Sequence, residues 1–229
     1  MSDYTDLEKT IGIKFKDKDK LDQAFTHKSY LNEHRNEGVK DNERMEFLGD
    51  AVLELAVTNH LYFNHPNQSE GAMTSFRSAL VKGKHLAEVA KDIDLGPYLF
   101  LSKGEEKSGG RNKNYILANT VESLIGAIYL EHGYDMSDEF IKKFILAKLD
   151  VIIEKGLHID AKSQFQEMCQ EKEDHTPYYE VISQEGPDHD KIFTMGAYID
   201  GKKIAEGQES SKQKAEEDAA KNALIKLKW

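Results

Sequence analysis

Apolar residues recur at every third or fourth position through most of the first 155 residues, which is the spacing of a buried helix face. The pattern is clearest in five stretches, which are residues 21–25, 47–62, 79–90, 116–130 and 140–153. Asp41 or Asn42 is placed to cap the helix that follows it, and Ser137 is placed to open the last one. Residues 102–114 are rich in Gly, Lys and Glu without periodicity, so we expect a mobile loop there.

After residue 156 the helical spacing gives way to short alternating runs punctuated by Pro and Gly. These runs predict a helix, three strands and a second helix, at residues 161–173, 178–183, 192–199, 202–207 and 211–227. Asp200-Gly201 is a strong signal for a two-residue hairpin between the last two strands. We therefore predict a multidomain chain, with an all-α domain at 1–155, a linker at 156–159 and a small α+β domain (α-β-β-β-α) at 160–229.

The composition limits the class of protein. The 229 residues are 39% hydrophobic, which is enough for packed cores, and the single cysteine, Cys169, fits a reducing compartment. The charged N-terminus does not resemble a signal peptide and no run approaches the length of a membrane span, so we expect a cytoplasmic protein without a membrane partner. The net charge of −10 argues against nonspecific binding of nucleic acid, so any RNA contact depends on local clusters or bound cations.

Three carboxylates interrupt the apolar pattern of the second helix. Glu43, Glu46 and Asp50 are spaced so that all three share one helix face. Asn119 and Glu122 share a face of the helix predicted at 116–130 in the same way. Stacked like charges repel one another, so the arrangement suits a site where oxygen atoms hold a hard divalent cation such as Mg²⁺ or Mn²⁺.

Two such helices that cross with these faces opposed would bring the oxygen ligands to one point. The small residues Gly49, Ala51, Gly126 and Ala127 would allow the close approach. The site would then suit metal-assisted hydrolysis of a phosphodiester. The alternative is a solvated acidic face paired with surface cations, and helix spacing alone does not decide between the two.

The segment NERMEFLGDAVLEL resembles the signature of the ribonuclease III family, usually written ERLEFLGDS or ERLEFLGDA. Three further segments match the family in the same order, and these are AFTHKSY, SEGAMTSFRSALV and ILANTVESLIGAIYLEHGY. The resemblance implies an all-helical endonuclease domain that forms a homodimer with a valley for double-stranded RNA. Phe47 matches the residue that plugs into the partner subunit, with burial in its own core as the alternative.

The resemblance also implies roles for the acidic residues. Glu46, Asp50 and Glu122 match the family's metal ligands, with Asp50 and Glu122 as the catalytic pair. Glu43 matches an acid at the edge of the cleft, and Glu70 matches an acid that assists through water near the metal site. Both are therefore assigned supporting roles.

Asn119 stands where the family's second motif usually has Asp. The amide oxygen of Asn119 still suits a hard cation, so it is kept as a metal ligand, but the site loses one negative charge and metal binding should weaken. Three interpretations are open: a natural variant in a working enzyme, a form weakened by design to trap substrate, and a binding protein that no longer cleaves.

The C-terminal segment resembles the double-stranded-RNA-binding domain of the same family, in AKSQFQEMCQ, PYYEVISQEGPDHDKIFTMGAYIDGKKIAEG and SSKQKAEEDAAKNAL. Such domains contact the shape, 2′-hydroxyls and phosphates of a duplex rather than its base sequence. The resemblance implies contacts from both helices and from the loop between the first two strands, and the residues are Gln166, Gln170, His189, Ser211, Lys212 and Lys214. The helix dipole and the two lysines both favour phosphate at the start of the last helix.

Taken over the whole chain, the resemblance implies an Mg²⁺-dependent endoribonuclease, with Mn²⁺ as a substitute, that cuts double-stranded RNA. Its products would carry 5′-phosphate and 3′-hydroxyl ends with short 3′ overhangs. The expected substrates are ribosomal RNA precursors and structured messenger RNAs. The alternative is a dimeric double-stranded-RNA-binding protein that, because of Asn119, does not cleave or cleaves weakly.

Overall fold

The computed structural model describes residues 3–34, 38–156, 160–187 and 191–229. The chain divides into two compact units, Met1–His158 and Ile159–Trp229. The first is helical and the second combines a sheet with two helices, which confirms the predicted fold class. The domain limits at residues 155 and 160 stay a prediction, and residues 157–159 of the expected linker lie outside the described ranges. Over those ranges, no helix has the length and apolar character needed to cross a membrane.

The first unit is built around two long helices. Its α-helices are α1 (Thr5–Ile11), α2 (Lys18–Ala24), α3 (Lys28–Leu31), α4 (Glu43–Asn64), α5 (Glu70–Val81), α6 (Gly83–Asp92), α7 (Lys103–Lys107), α8 (Asn114–His132), α9 (Tyr134–Phe144) and α10 (Leu149–Glu154). Their apolar faces join in one core. The helix α8 buries residues on nearly every face and packs against α2, α4, α6 and α9, so it forms the centre of the unit.

Residues 102–114 do not form the expected mobile loop; they form α7 and a 3₁₀ turn at Gly110–Asn112. The Ser102 hydroxyl caps α7 by accepting the Glu105 N–H at 3.1 Å. The Arg111 guanidinium donates, at 2.9 to 3.1 Å, to the carbonyl oxygens of Gly96, Pro97 and Leu99. Polar side chains therefore hold this segment, which is why the apolar periodicity did not indicate it.

The expected start of the last long helix was also wrong. The helix α9 begins at Tyr134, directly after Gly133, whose φ of 83° lies in the left-handed region. Ser137 lies inside this helix, where its hydroxyl donates to the Gly133 carbonyl at 3.1 Å. A serine that bonds the preceding turn is a common competitor for the capping role, and sequence spacing alone does not distinguish the two.

The second unit is an antiparallel sheet of three strands in the order β1-β2-β3, with α12 packed on the sheet and α11 packed on α12. Its elements are α11 (Ala161–Glu173), β1 (Tyr178–Glu185), β2 (Ile192–Ile199), β3 (Lys202–Glu209) and α12 (Lys212–Leu227). Asp200 and Gly201 have φ values of 45° and 73°, as the predicted two-residue hairpin requires. A Cβ added at Gly207 would lie 2.2 Å from the Ala219 nitrogen, so β3 and α12 are in close backbone contact.

Candidate functional site

The two helices that hold the acidic residues, α4 and α8, cross in direct backbone contact. A Cβ added at Gly49 would lie 1.7 Å from the carbonyl oxygen of Glu122, and one added at Gly126 would lie 2.3 Å from that of Met45. Only residues without a Cβ allow this approach, so the role expected for Gly49 and Gly126 is confirmed. Ala51 is exposed, two positions further round α4, and the close approach does not depend on it.

The crossing sets the position of the acidic side chains. Glu46 and Asp50 flank Gly49 on α4, and Asn119 lies one turn before Glu122 on α8. The Asn119 side chain hydrogen-bonds to the Glu46 carboxylate. Asp50 and Glu46 both act electrostatically on Glu122. We call Glu46, Asp50, Asn119 and Glu122 the acidic group.

Burial and like charge raise the pKa of both glutamates in the acidic group. Burial is the main cause that raises the pKa of Glu122 to about 7, and repulsion from Asp50 and Glu46 adds to it. Burial also raises the pKa of Glu46; the hydrogen bond from Asn119 opposes the shift, and Glu43 and Asp50 add to it. Negative charge is therefore costly at this point, and a proton or a bound cation relieves it.

The donor chemistry of the acidic group suits a hard divalent cation, because three carboxylates and one amide offer only oxygen ligands. The side chains do not enclose an ion as they stand: within the described ranges, no three His, Cys, Asp or Glu side chains lie close enough together to hold one. These side chains would therefore rotate to gather around an ion. The assignment of these residues as metal ligands stays a prediction.

The two supporting acids lie in different places. Glu43 is exposed in the first turn of α4, forms an ion pair with Lys28 at 3.0 Å and contributes to the field at Glu46. Glu70 begins α5 and accepts the Thr74 hydroxyl at 3.0 Å. It lines a groove of about 140 Å³ between α4 and α5. Within one chain, Glu43 therefore lies next to the acidic group, whereas Glu70 lies in the groove between α4 and α5.

Asn42 makes contacts that its local sequence does not reveal. It immediately precedes α4, yet among the described residues no N–H of that helix is capped by its side chain. Asp41 accepts the Glu43 N–H at 3.2 Å instead. The Asn42 amide is buried and donates to the Ala24 carbonyl and to the Ser123 hydroxyl, 81 positions away on α8. A contact at that sequence separation leaves no local pattern.

Phe47 is 80% exposed, so it is not part of the core of its own chain and that alternative is wrong. Leu55 and Tyr62 lie further along the same face of α4 and are 57% and 65% exposed. We call these three residues the α4 stripe. Apolar stripes of this kind mark surfaces that another protein covers. The role of Phe47 in a dimer interface stays a prediction.

In the second unit, the predicted RNA contacts on α11 are exposed. Gln166 and Gln170 border an open groove of about 530 Å³, and the Gln170 amide donates to Asp174 at 2.9 Å. A second groove of about 300 Å³ is lined by both Gln166 and Gln213, the second residue of α12. The helices α11 and α12 therefore border a common groove, although Ser211, Lys212 and Lys214 do not line it.

The start of α12 combines a cap with cations. Ser211 is the N-cap residue and its hydroxyl accepts the Lys214 N–H at 3.3 Å. Lys212 and Lys214 are exposed, and the Lys212 ammonium lies 5.9 Å from the centre of the Phe193 ring. His189 lies outside the described residues. Contact of these residues with RNA stays a prediction.

Comparison with known proteins finds a matching family model for each of the two units. The family model described as Ribonuclease-III-like matches residues 17–149, and the model described as double-stranded RNA binding motif matches residues 161–227. A curated protein named Ribonuclease 3 from Listeria monocytogenes serotype 4b is 42% identical over 230 residues, covering 99% of each chain. A protein of the same name from Enterococcus faecalis is 44% identical over 220 residues, covering 96% of this chain and 95% of the relative.

A solved structure resembles the helical unit. The nuclease domain of ribonuclease III from Campylobacter jejuni is 38% identical and matches with a TM-score of 0.58. The match covers 62% of this chain and 96% of that domain, which was described for structural flexibility in a region involved in dimer formation.

Proposed function

Because this chain belongs to the ribonuclease III family and is a double-stranded-RNA-specific endoribonuclease, we propose that it cleaves RNA at the acidic group. The supporting observation is the crossing of α4 and α8, where backbone contact at Gly49 and Gly126 brings carboxylates from both helices into electrostatic contact. Such an arrangement costs stability in the free protein, so it is best explained by a positive charge that it binds.

Mg²⁺ is the proposed cofactor, with Mn²⁺ as a substitute. The ligands would be the carboxylates of Glu46, Asp50 and Glu122, with the amide oxygen of Asn119. When bound, the cation supplies an activated water and shields the charge that develops on the phosphate. The helix crossing brings the four side chains into one region, from which rotation would let their oxygens meet at one ion. Glu122 would hold the cation as a carboxylate, and the cation would offset the burial and repulsion that raise the pKa of this group in the ion-free chain.

The products follow from which bond breaks. In-line attack by water that breaks the bond between phosphorus and the 3′ oxygen leaves a 5′-phosphate and a 3′-hydroxyl, and these are the proposed ends. Two sites related by a two-fold axis, each cutting one strand, would leave short 3′ overhangs. The proposed substrates are ribosomal RNA precursors and structured messenger RNAs in the cytoplasm.

A homodimer is the proposed assembly, and the α4 stripe is the proposed contact. The stripe is exposed although Phe47, Leu55 and Tyr62 are large and apolar. A two-fold interface uses the same surface on both copies, so one stripe serves both. Phe47 is the most exposed of the three and is the proposed anchor.

The second unit is proposed to bind the duplex through α11 and the start of α12. Gln166 and Gln170 offer amides that bond 2′-hydroxyls. Ser211, Lys212 and Lys214 lie at a helix start that favours phosphate. His189, which lies between β1 and β2 in the sequence, is a further proposed contact. Asp160 and Glu217 line the same groove as Gln166, so this surface is only locally basic and its affinity should be moderate.

The second candidate function is a protein that binds duplex RNA without cutting it, and Asn119 is the observation that favours it. End-labelled duplex and single-stranded RNA, incubated with the wild type, Glu122→Gln and Asn119→Asp in Mg²⁺ or EDTA, separates the two functions. We expect the wild type to cut only the duplex and only with Mg²⁺, while Glu122→Gln binds the duplex intact. A wild type that never cuts, with an Asn119→Asp variant that also never cuts, would leave only the binding protein.

A further inference from the structure

We propose that Asn42 is a positioning residue for the acidic group, because its buried amide fixes the turn of α4 that holds Glu46 against the turn of α8 that holds Glu122. The inference rests on the proposed function, since it assigns to Asn42 the task of setting the geometry of a cation site. In this role Asn42 contacts neither the cation nor the RNA.

The backbone of Asn42 already fixes one end of this link. Its carbonyl oxygen accepts the Glu46 N–H at 2.8 Å, which is the first hydrogen bond of α4. Its own N–H donates to the Thr26 carbonyl at 2.9 Å, just after α2. Any shift of Asn42 is therefore transmitted to Glu46 through one hydrogen bond.

The side chain fixes the other end. The Asn42 amide nitrogen donates to the Ala24 carbonyl at 3.3 Å and to the Ser123 hydroxyl at 3.4 Å. Ser123 directly follows Glu122, is fully buried and donates to the same Ala24 carbonyl at 2.8 Å. One network of Asn42, Ser123 and the end of α2 thus spans the two helices, next to a glutamate on each.

The network replaces a simpler arrangement. The side chain of the residue that precedes a helix normally accepts a hydrogen bond from one of the first N–H groups of that helix. Serine does this as well as asparagine. The Asn42 side chain is 4% exposed and turned inward instead. Asn42 thus forms a distant contact in place of the helix cap that its position favours. Departures of this kind from local preference are typical of functional sites. A buried network of this kind tolerates few geometries, because a lost partner leaves a polar group unpaired.

The test compares two variants of the network with a matched control. Asn42→Ser keeps a residue able to cap α4 but removes the amide bridge, and Ser123→Ala removes a single oxygen from α8 and suits a helix. The control is Ser137→Ala, because Ser137 is also fully buried and donates to the Gly133 carbonyl just before α9, a helix that holds none of the acidic group. Mn²⁺ binding to the full chain without RNA is measured by electron paramagnetic resonance. Mg²⁺ dependence, kcat and KM for duplex RNA are measured in parallel, together with Tm.

We expect Mn²⁺ to bind about tenfold more weakly to Asn42→Ser and to Ser123→Ala, the size of effect seen when groups that orient metal ligands are removed. The Mg²⁺ concentration for half-maximal cleavage should rise by the same factor while KM for RNA stays unchanged, because Asn42 is buried away from solvent. The double variant should lose little more than either single variant, since both act through one network. Ser137→Ala should lower Tm as much as the other two and leave Mn²⁺ binding unchanged.

The first two of three outcomes separate this inference from the proposed function. If cleavage depends on Mg²⁺ but both network variants bind Mn²⁺ as well as Ser137→Ala does, the positioning role is overturned and the nuclease stands. If the variants weaken Mn²⁺ binding in a chain that never cuts RNA, the positioning role stands and the proposed function fails. If the wild type binds no Mn²⁺ at all, both are overturned.

Discussion

Gly49 faces the backbone of Glu122 so closely that a methyl group at Gly49 would stand 1.7 Å from the Glu122 carbonyl oxygen. The two residues belong to the helices that hold the acidic group, so their contact couples the packing of the unit to the geometry of the site. Neither backbone can move away without separating α4 from α8.

Gly49→Ala should destabilise the helical unit by roughly 3 kcal/mol, because the new methyl group meets rigid backbone rather than a flexible side chain. Urea unfolding measures the change, and cleavage should fall with it. Gly71→Ala is the control: Gly71 lies in α5 with open space around its Cβ position, so alanine should stabilise the chain by up to about 1 kcal/mol. Equal unfolding midpoints for the wild type and Gly49→Ala would contradict the contact.

The stability of the metal-free protein should depend on pH through Glu122. Its pKa is about 7 in the folded chain against an ordinary value of 4.5, so between these values the folded state holds a proton that the unfolded state has released. Stability should therefore fall as pH rises through this window and level off above it. Thermal unfolding in EDTA between about pH 4 and about pH 8 measures the slope.

Glu122→Gln should remove this falling component, because glutamine does not titrate. Glu131→Gln is the matched control. The pKa of Glu131 is lowered by hydrogen bonds from Lys20 and Lys16, so its carboxylate stabilises the folded chain at neutral pH and that stability is lost in acid. The control variant should thus lose stability at neutral pH while keeping the falling component. A wild type without that component would contradict the burial of Glu122.

Asn119→Asp should bind Mg²⁺ about tenfold more tightly, because it adds a charged ligand to a site built for a hard cation. Without Mg²⁺ the same variant should melt at a lower temperature than the wild type, since the amide that hydrogen-bonds to Glu46 is replaced by a like charge. Calorimetric titration with Mg²⁺ and melting with and without the ion test both parts. Unchanged Mg²⁺ affinity would remove Asn119 from the ligand set.

Phe47→Ala should weaken self-association by about thirtyfold or more, which corresponds to loss of a contact worth about 2 kcal/mol. Folding stability of the single chain should change little, because the side chain is 80% exposed. Analytical ultracentrifugation over a concentration series measures the first effect. Phe63→Ala is the control, since Phe63 is 71% exposed on a different face of the same helix. Equal dissociation constants for the two variants would exclude the α4 stripe as the interface.

Lys214→Ala should weaken duplex binding for every RNA sequence and reduce the slope of log affinity against log salt by about one, since one phosphate contact is lost. Binding in EDTA, measured by fluorescence anisotropy at several salt concentrations, separates this effect from cleavage. Lys221→Ala changes an exposed lysine further along α12 and should leave the slope unchanged. Two variants with the same reduced slope would point to bulk charge rather than to the helix start.

Periodicity was enough to predict the elements that matter most for the site. Apolar spacing identified α4 and α8, and the three- and four-residue spacing of acids put Glu46 and Asp50 on one face of α4. Gly49 and Gly126 indicated the close crossing, because glycine destabilises the interior of a helix unless another backbone packs against it. These features depend on residues that are close together in the sequence, so sequence patterns are enough to predict them.

Features that depend on distant partners were not predictable. Asn42 looks like a cap, and only the fold brings it to Ser123. Whether Phe47 lies inside or outside its own core depends on how α4 rotates against the unit, which one aromatic residue in an apolar run does not determine. Glu70 shares a motif with its family but lies in a groove of its own in this chain. In each case the tertiary structure decides between contacts that the local sequence does not separate.

The ordered turns at residues 102–114 have a practical consequence for protease sensitivity. The segment contains Lys103, Lys107, Arg111 and Lys113, and its composition suggests an easy target for trypsin. A protease must draw several residues into an extended conformation, however, and here that would release α7 from its serine cap and the guanidinium from three carbonyls. The native protein should therefore survive brief digestion at this segment, despite its density of basic residues.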